Sequence, residues 1–245
     1  AGEPFGLWVI DAPAWVARAL PLDRAGCPVV FTDDARPFKL RKVRVLNGAH
    51  TALDCLGLLC EMQTVGDCMK DAQMRAFMQG ALYAEILPCL PLDPEMLKDY
   101  AAAVLERFEN PFNRHLLLDI ALNSAGKFVQ RVLPSIEAYQ RANGRLPARL
   151  MAGFAALLKV YLENAGRAGA RFALRDEDAV LAFFAALDPG EAARVLAEKI
   201  CRAEALWGED LSRIPGFCER LTRDMELLRD KGARELLSLV EEEDS

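Results

Sequence analysis

Apolar residues recur along this chain with two different periods, and the change between them falls near residue 38. Before it, Leu7-Trp8-Val9-Ile10 and Val29-Val30-Phe31 are short β-prone runs bounded by Pro4, Pro13, Pro28 and Pro37. They predict two short strands, able to pair, in an extended opening segment spanning residues 1–38. Between the runs, Pro13 precedes Ala14 to Leu20, enough for a turn or two of helix with proline at its favoured start. From residue 39 the apolar spacing is i, i+3, i+4 almost throughout, so residues 39–245 predict a mainly α, multi-helical domain.

Within that domain the first long helix is expected from about Lys39 to Met62. Met74, Phe77, Met78, Ala81 and Leu82 form the inward stripe of the next helical stretch, which ends by Pro88. Asp93-Pro94 reads as an N-cap followed by proline, and Leu97, Tyr100, Val104, Leu105 and Phe108 as the buried face behind it. Further helices are expected at Phe128 to Gln140, Ala148 to Glu163 and Asp176 (as cap) to about Leu187, with another starting at Asp188-Pro189-Gly190-Glu191. Leu221, Met225, Leu228, Leu236, Leu237 and Val240 give the last amphipathic faces, and Glu241 to Asp244 a frayed, solvated end.

Composition narrows the class. With 245 residues, 52% of them hydrophobic, the chain can bury one large core or two small ones. Acidic and basic residues are interspersed and the net charge is −6, which gives no footprint for nucleic acid. No apolar run approaches the roughly 20 residues of a membrane span, and the first residues lack a basic start followed by an apolar stretch. Seven cysteines without a C-x-x-C favour a reduced, cytoplasmic setting. Cys55 and Cys60 sit among leucines and read as small core residues, and only two histidines are present, so no metal site is expected.

The stretch with the most chemical potential is Lys42-x4-Asn47-x2-His50. At roughly 100° per residue on an α-helix, His50 lies near 80° and Asn47 near 140° from Lys42, so all three can serve one pocket. A proton donor, a neutral amide and an imidazole are what carbonyl reduction requires: a proton for the developing alkoxide, polarisation of the carbonyl and a hold on neighbouring hydroxyls. The plainer alternative is a solvated basic face, since Lys39, Arg41 and Arg44 flank Lys42. A second stretch is Asn110-Pro111 with Arg114, His115 and Lys127 behind it. There the plain reading is a cap and surface charges. The chemical one is a cation for a substrate carboxylate, with Arg offering a fork and Lys a point charge.

These residues carry a resemblance. Glu3-Pro4-Phe5 with Trp8-Val9-Ile10, Arg41-Lys42 to His50-Thr51, and Arg107-Phe108-Glu109-Asn110-Pro111 resemble the polyol dehydrogenase family that includes mannitol dehydrogenase. Leu46 to Thr51, Ala121-Leu122-Asn123-Ser124 with Lys127-Phe128, and Arg131 to Ser135 are most similar to its members that interconvert tagaturonate and altronate. The resemblance runs over nearly the whole chain. It implies a helical domain like the C-terminal domain of 6-phosphogluconate-dehydrogenase-type enzymes and an NAD-dependent oxidoreductase of hexuronate catabolism. Lys42 would be the catalytic acid/base, Asn47 the carbonyl-polarising amide, and His50 a substrate-positioning residue. Asn110, Arg114, His115 and Lys127 would help bind a small sugar acid, and which cation takes the carboxylate stays open. The alternatives are a fructuronate or mannitol/polyol reductase domain, or a helical binding module without chemistry.

The sequence holds no strand followed by G-x-G-x-x-G with an acidic residue about 20 positions on. Family members carry such a unit N-terminally. The expectation is therefore a substrate and catalytic domain whose N-terminal dinucleotide-binding partner domain is absent from this chain, so that the chain alone is inactive and binds NAD weakly.

Overall fold

Helical hydrogen bonding dominates the chain from Arg36 onward, and 68% of the described residues are helical. The computed structural model describes residues 6–243, so Glu3-Pro4-Phe5 and Asp244 lie outside the described residues. Its contacts divide the chain into two units, Ala1–Val43 and Arg44–Ser245.

In the first unit, β1 (Trp8–Asp11) pairs in parallel with β2 (Val29–Thr32), in the register Trp8 to Val29 through Asp11 to Thr32. Parallel strands need a crossover. Here it includes α1 (Ala14–Ala19), which Pro13 precedes, and a 3₁₀ turn at Asp23–Ala25. After β2, Asp11 Oδ2 accepts the Ala35 N–H at 3.3 Å, and Asp34 pairs with Arg36 at 2.7 Å. Then α2 (Arg36–Arg41) begins, with Pro37 in its first turn.

A π-helical stretch, Lys42–Asn47, leads without a break into α3 (Gly48–Leu59). The long helix expected over 39–62 thus runs from Arg36 to Leu59, and the 100° rotation per residue does not hold across 42–47, because π bonding closes wider i→i+5 turns. Arg44, a member of the basic cluster, is buried and donates from Nε to Ser135 Oγ at 2.8 Å.

The remaining helices are α4 (Val65–Lys70), α5 (Ala72–Gly80), α6 (Pro94–Glu109), α7 (Leu117–Ile120), α8 (Ser124–Arg131), α9 (Leu133–Asn143), α10 (Ala148–Asn164), α11 (Asp178–Ala186), α12 (Ala193–Cys201), α13 (Glu204–Trp207), α14 (Phe217–Asp230) and α15 (Ala233–Glu242). A second π stretch, Ala81–Ile86, follows α5. Sequence signals set many ends. Thr64 and Asp67 form a reciprocal capping box for α4, and Asp93 Oδ1 accepts the Met96 N–H at α6. Pro134, which has no N–H to continue a helix, marks the break that splits the single helix expected over 128–140 into α8 and α9. Asp188 to Glu191 form a turn, with Asp188 Oδ1 accepting the Gly190 N–H, and α12 starts later. The acidic tail is tied down as far as Glu243, which pairs with Arg220 and Arg223.

Fifteen of the seventeen residues of α10 are buried, as expected of a helix apolar on all sides. Its N-terminus receives the buried Glu85, whose two oxygens accept the Arg149 and Leu150 N–H groups at 2.8 and 2.9 Å. That carboxylate satisfies two orphan donors and faces the positive end of the helix. Against one side of α10 lies α3, with ten of twelve residues buried. On other sides lie α14 and α15. The α3–α10 contact closes at Gly153, where a Cβ would stand 2.7 Å from the Ala52 carbonyl oxygen and 3.2 Å from its Cα. Gly153→Ala therefore forces the two helices apart, an overpacking cost of about 1–3 kcal/mol. A thermal melt of the variant is expected to fall by roughly 2–12 °C, and an unchanged melt would show that the contact yields freely.

Candidate substrate site

The side chains of interest gather where α3, the end of α6, the 110–117 loop and α8 meet. His50, in the first turn of α3, stacks on Phe108 at 4.2 Å between ring centroids and meets the exposed His115 edge-on at 5.6 Å. Its Nε2 is buried with no hydrogen-bond partner among the described residues. Burial above all, with repulsion from His115, Arg131, Arg107 and Lys127, pulls the imidazole pKa down to about 3. His50 is thus a neutral ring set among cations.

One turn further along α3, Asp54 is fully buried. Its Oδ1 accepts the Cys55 N–H at 2.6 Å and its Oδ2 the Ser124 hydroxyl at 3.4 Å. Burial pushes this carboxyl up to about 7, against the hydrogen bond from Cys55 and the charge of Lys127.

The facing helix, α8, starts from Asn123 in the left-handed conformation, which asparagine tolerates. Its first amides are held from a distance: Ser124 N–H donates to Tyr161 Oη at 3.2 Å and Ala125 N–H to Asp176 Oδ2 at 3.2 Å. The Tyr161 hydroxyl donates in turn to the same Asp176 oxygen. Burial and Asp176 both raise the Tyr161 pKa, so the phenol keeps its proton. Asp176, expected from sequence to cap the helix that follows it, serves the N-terminus of α8 instead, and Glu177 stands at the cap of α11. From α8 itself, Lys127 Nζ donates to the Ile120 carbonyl at 2.8 Å, and Arg131 Nη1 to the Thr51 hydroxyl at 3.3 Å. Burial lowers the pKa of both cations.

His50, His115 and Lys127, singled out from sequence, are therefore brought together. Arg114 is exposed and is not among the groups acting on His50. Asn110 is the C-cap of α6, and its Oδ1 accepts the Phe112 N–H at 3.0 Å, a local turn. Asn47, half-buried, closes the π stretch that Lys42, exposed, opens. Arg131, Arg107, Thr51 and Asp54 were not singled out. Arg131 lies four residues from Lys127 and Asp54 four from His50, the spacing of one helix face, so the signal was present.

The buried titrations give a test. The fold holds the Asp54 proton up to about pH 7, whereas an unfolded carboxyl loses it near 4, so this group's contribution is complete at low pH and declines as pH rises from about 4 to about 7. His50 acts oppositely: the unfolded ring gains a proton below about 6.5 and the folded one only near 3, so stability declines as pH falls through that window. Asp54→Asn keeps a neutral group at every pH. Its stability relative to wild type, from urea unfolding at pH 5 and pH 8, is expected to improve by about 1–3 kcal/mol at the higher pH. An equal difference at both pH values would mean that Asp54 ionises normally.

Residues 34–229 match the mannitol dehydrogenase C-terminal domain. The altronate oxidoreductase of Klebsiella pneumoniae (strain 342) is 41% identical over 238 residues, covering 95% of this chain and 49% of that protein. Its counterpart in Escherichia coli (strain K12) is 40% identical over 238 residues with the same coverage. Among solved structures, Pseudomonas fluorescens mannitol 2-dehydrogenase, in a ternary complex with NAD and D-mannitol, superimposes with a TM-score of 0.81 at 26% identity, over 98% of this chain and 47% of that one. A D-sorbitol dehydrogenase in substrate-free form shares the fold, with a TM-score of 0.71 at 21% identity over 89% of this chain and 43% of its own. The chain spans about half the length of the curated relatives it matches. No described helix is long and apolar enough to cross a membrane. With the family profile covering most of its length, the chain belongs to the mannitol dehydrogenase C-terminal domain family.

Proposed function

We propose that this chain is the substrate-binding and catalytic part of an oxidoreductase that interconverts tagaturonate and altronate with NAD as redox partner. The observation that carries the reading is the cationic cluster of Lys127, Arg131 and Arg107 around His50, with His115 beside it, in a chain about 40% identical to altronate oxidoreductases. A neutral polyol gives such a cluster nothing to neutralise, whereas a hexuronate brings a carboxylate. This favours a uronate over mannitol, and the relatives' names favour altronate over fructuronate's product. The seven free thiols fit a reducing, cytoplasmic setting.

The described residues do not fit a dinucleotide. A pyrophosphate needs a glycine-bearing turn at a helix N-terminus. The two strand-to-helix turns here, at 12–13 and 33–35, contain no glycine, and the second carries Asp33 and Asp34, which repel phosphate. NAD, whose nicotinamide supplies hydride chemistry, is on this proposal held by a separate dinucleotide-binding domain of the whole protein.

What this chain's residues handle is the carbonyl oxygen. Reduction of a ketone places a proton on that oxygen, and Lys42 is assigned to hold and release it. Asn47, whose side chain makes no hydrogen bond among the described residues, is assigned to donate to the same oxygen, where negative charge develops. His50, kept neutral, can donate to or accept from a hydroxyl without adding charge. Asn110 and His115 complete the assigned binding set. A binding module without chemistry would need the cluster but not Lys42. In the whole protein, Lys42→Ala is therefore expected to lower kcat and kcat/KM for tagaturonate together, by roughly 10²- to 10⁴-fold, in steady-state assays with NADH. A kcat close to wild type would take Lys42 out of the acid/base role.

A further inference from the structure

We propose that Arg131 is the specificity residue of this site, the side chain that selects a substrate ending in a carboxylate over one ending in a neutral hydroxymethyl group. The proposal rests on the oxidoreductase reading for its substrate and on the geometry of α8 for its residue.

The cations near His50 are not equivalent. Arg114 is exposed, and Arg107 is already engaged within the fold. Lys127 commits one N–H to the Ile120 carbonyl and is acted on by two acidic groups, Asp176 as well as Asp54. Arg131 differs in each respect. Its guanidinium is half-buried yet forms no ion pair among the described residues, and its one hydrogen bond is a long contact of 3.3 Å to the neutral Thr51 hydroxyl. Asp54 is the single anionic group acting on it, and burial holds that carboxyl partly protonated near neutral pH. Its charge acts on His50, whose buried Nε2 has no hydrogen-bond partner among the described residues.

A partly desolvated guanidinium without an anion is unfavourable, and this one retains most of its five donors. A substrate carboxylate supplies what is missing, two oxygens matched to the guanidinium fork in charge-assisted bonds. Thr51 fixes the fork from α3, the helix that carries His50, so the carboxylate end is placed relative to the ring. A hydroxymethyl group in the same place accepts only neutral hydrogen bonds and leaves the cation uncompensated.

The test compares equilibrium binding of altronate and of altritol, identical but for a carboxylate in place of a hydroxymethyl group, to the whole protein without added cofactor. Wild type is expected to prefer altronate. Arg131→Leu should weaken altronate by roughly 10- to 100-fold and leave altritol within about 2-fold, and Arg131→Lys should recover part of the loss. Steady-state assays should show the Arg131→Leu defect mainly in KM for tagaturonate. Equal losses on both ligands, no loss in Arg131→Leu, a wild type indifferent to the carboxylate, or transfer of the whole effect to Lys127→Met would each overturn the proposal. Absence of NADH-dependent turnover in wild type would instead sink the redox reading, while the binding comparison would still decide Arg131.

Discussion

The close approach of α3 to α10 is the contact on which the helical unit depends. It exists because Gly153 presents no side chain to the Ala52 backbone, which lets two nearly fully buried helices share a face. The energetic return is dispersion and apolar burial along both helices. Its structural consequence is placement, since Thr51 and Asp54 flank the Ala52 turn and His50 is two residues away. The same helix pair organises the aromatic cluster: Phe154 of α10 stacks on Phe128 of α8 at 4.0 Å, and Trp207 packs edge-on to both while donating Nε1–H to the Ile200 carbonyl at 2.7 Å. Phe128 therefore locks the helix that carries Lys127 and Arg131.

Burial on that frame then sets the electrostatics. Asp54 and Asp176 lie close to Lys127, but Asp54 is partly protonated and Asp176 is occupied by the Tyr161 hydroxyl and an α8 amide. The cations of α8 are thus supported without being fully neutralised, and His50 stays neutral among them. Two other arginines are closed off in ion pairs. Arg149 and Glu85 pair at the start of α10, and Arg220 bridges Asp224, Glu243 and the Ala148 carbonyl. Arg131, by contrast, forms no ion pair among the described residues, and this is the ground on which a ligand carboxylate is proposed for it.

Much of this was legible in the sequence, and the misses have physical causes. The Gly144 to Pro147 turn and the apolar run behind it gave α10 to within one residue, because helix length and punctuation are local. The parallel strand pair was foreshadowed by Val29-Val30-Phe31 and its bounding prolines. The π stretch was not, since apolar spacing over six residues does not separate i→i+4 from i→i+5 bonding, and the solvated basic face weighed as the plainer alternative does not hold for Arg44, which is buried. In the site, His50, His115 and Lys127 were named from sequence, but Asp54 was not, because its partner Ser124 lies 70 residues away. Asp176 likewise looked like a local cap until Tyr161 and Ala125 came into reach.

The central claim is that the cations around His50 form a carboxylate site with Arg131 at its focus. The most direct measurement is a crystal structure of the whole protein with altronate bound. The account predicts both carboxylate oxygens within about 3 Å of the Arg131 guanidinium nitrogens, beside the His50 ring. A carboxylate bound away from α8, with the hydroxymethyl end of altronate against Arg131, would contradict it.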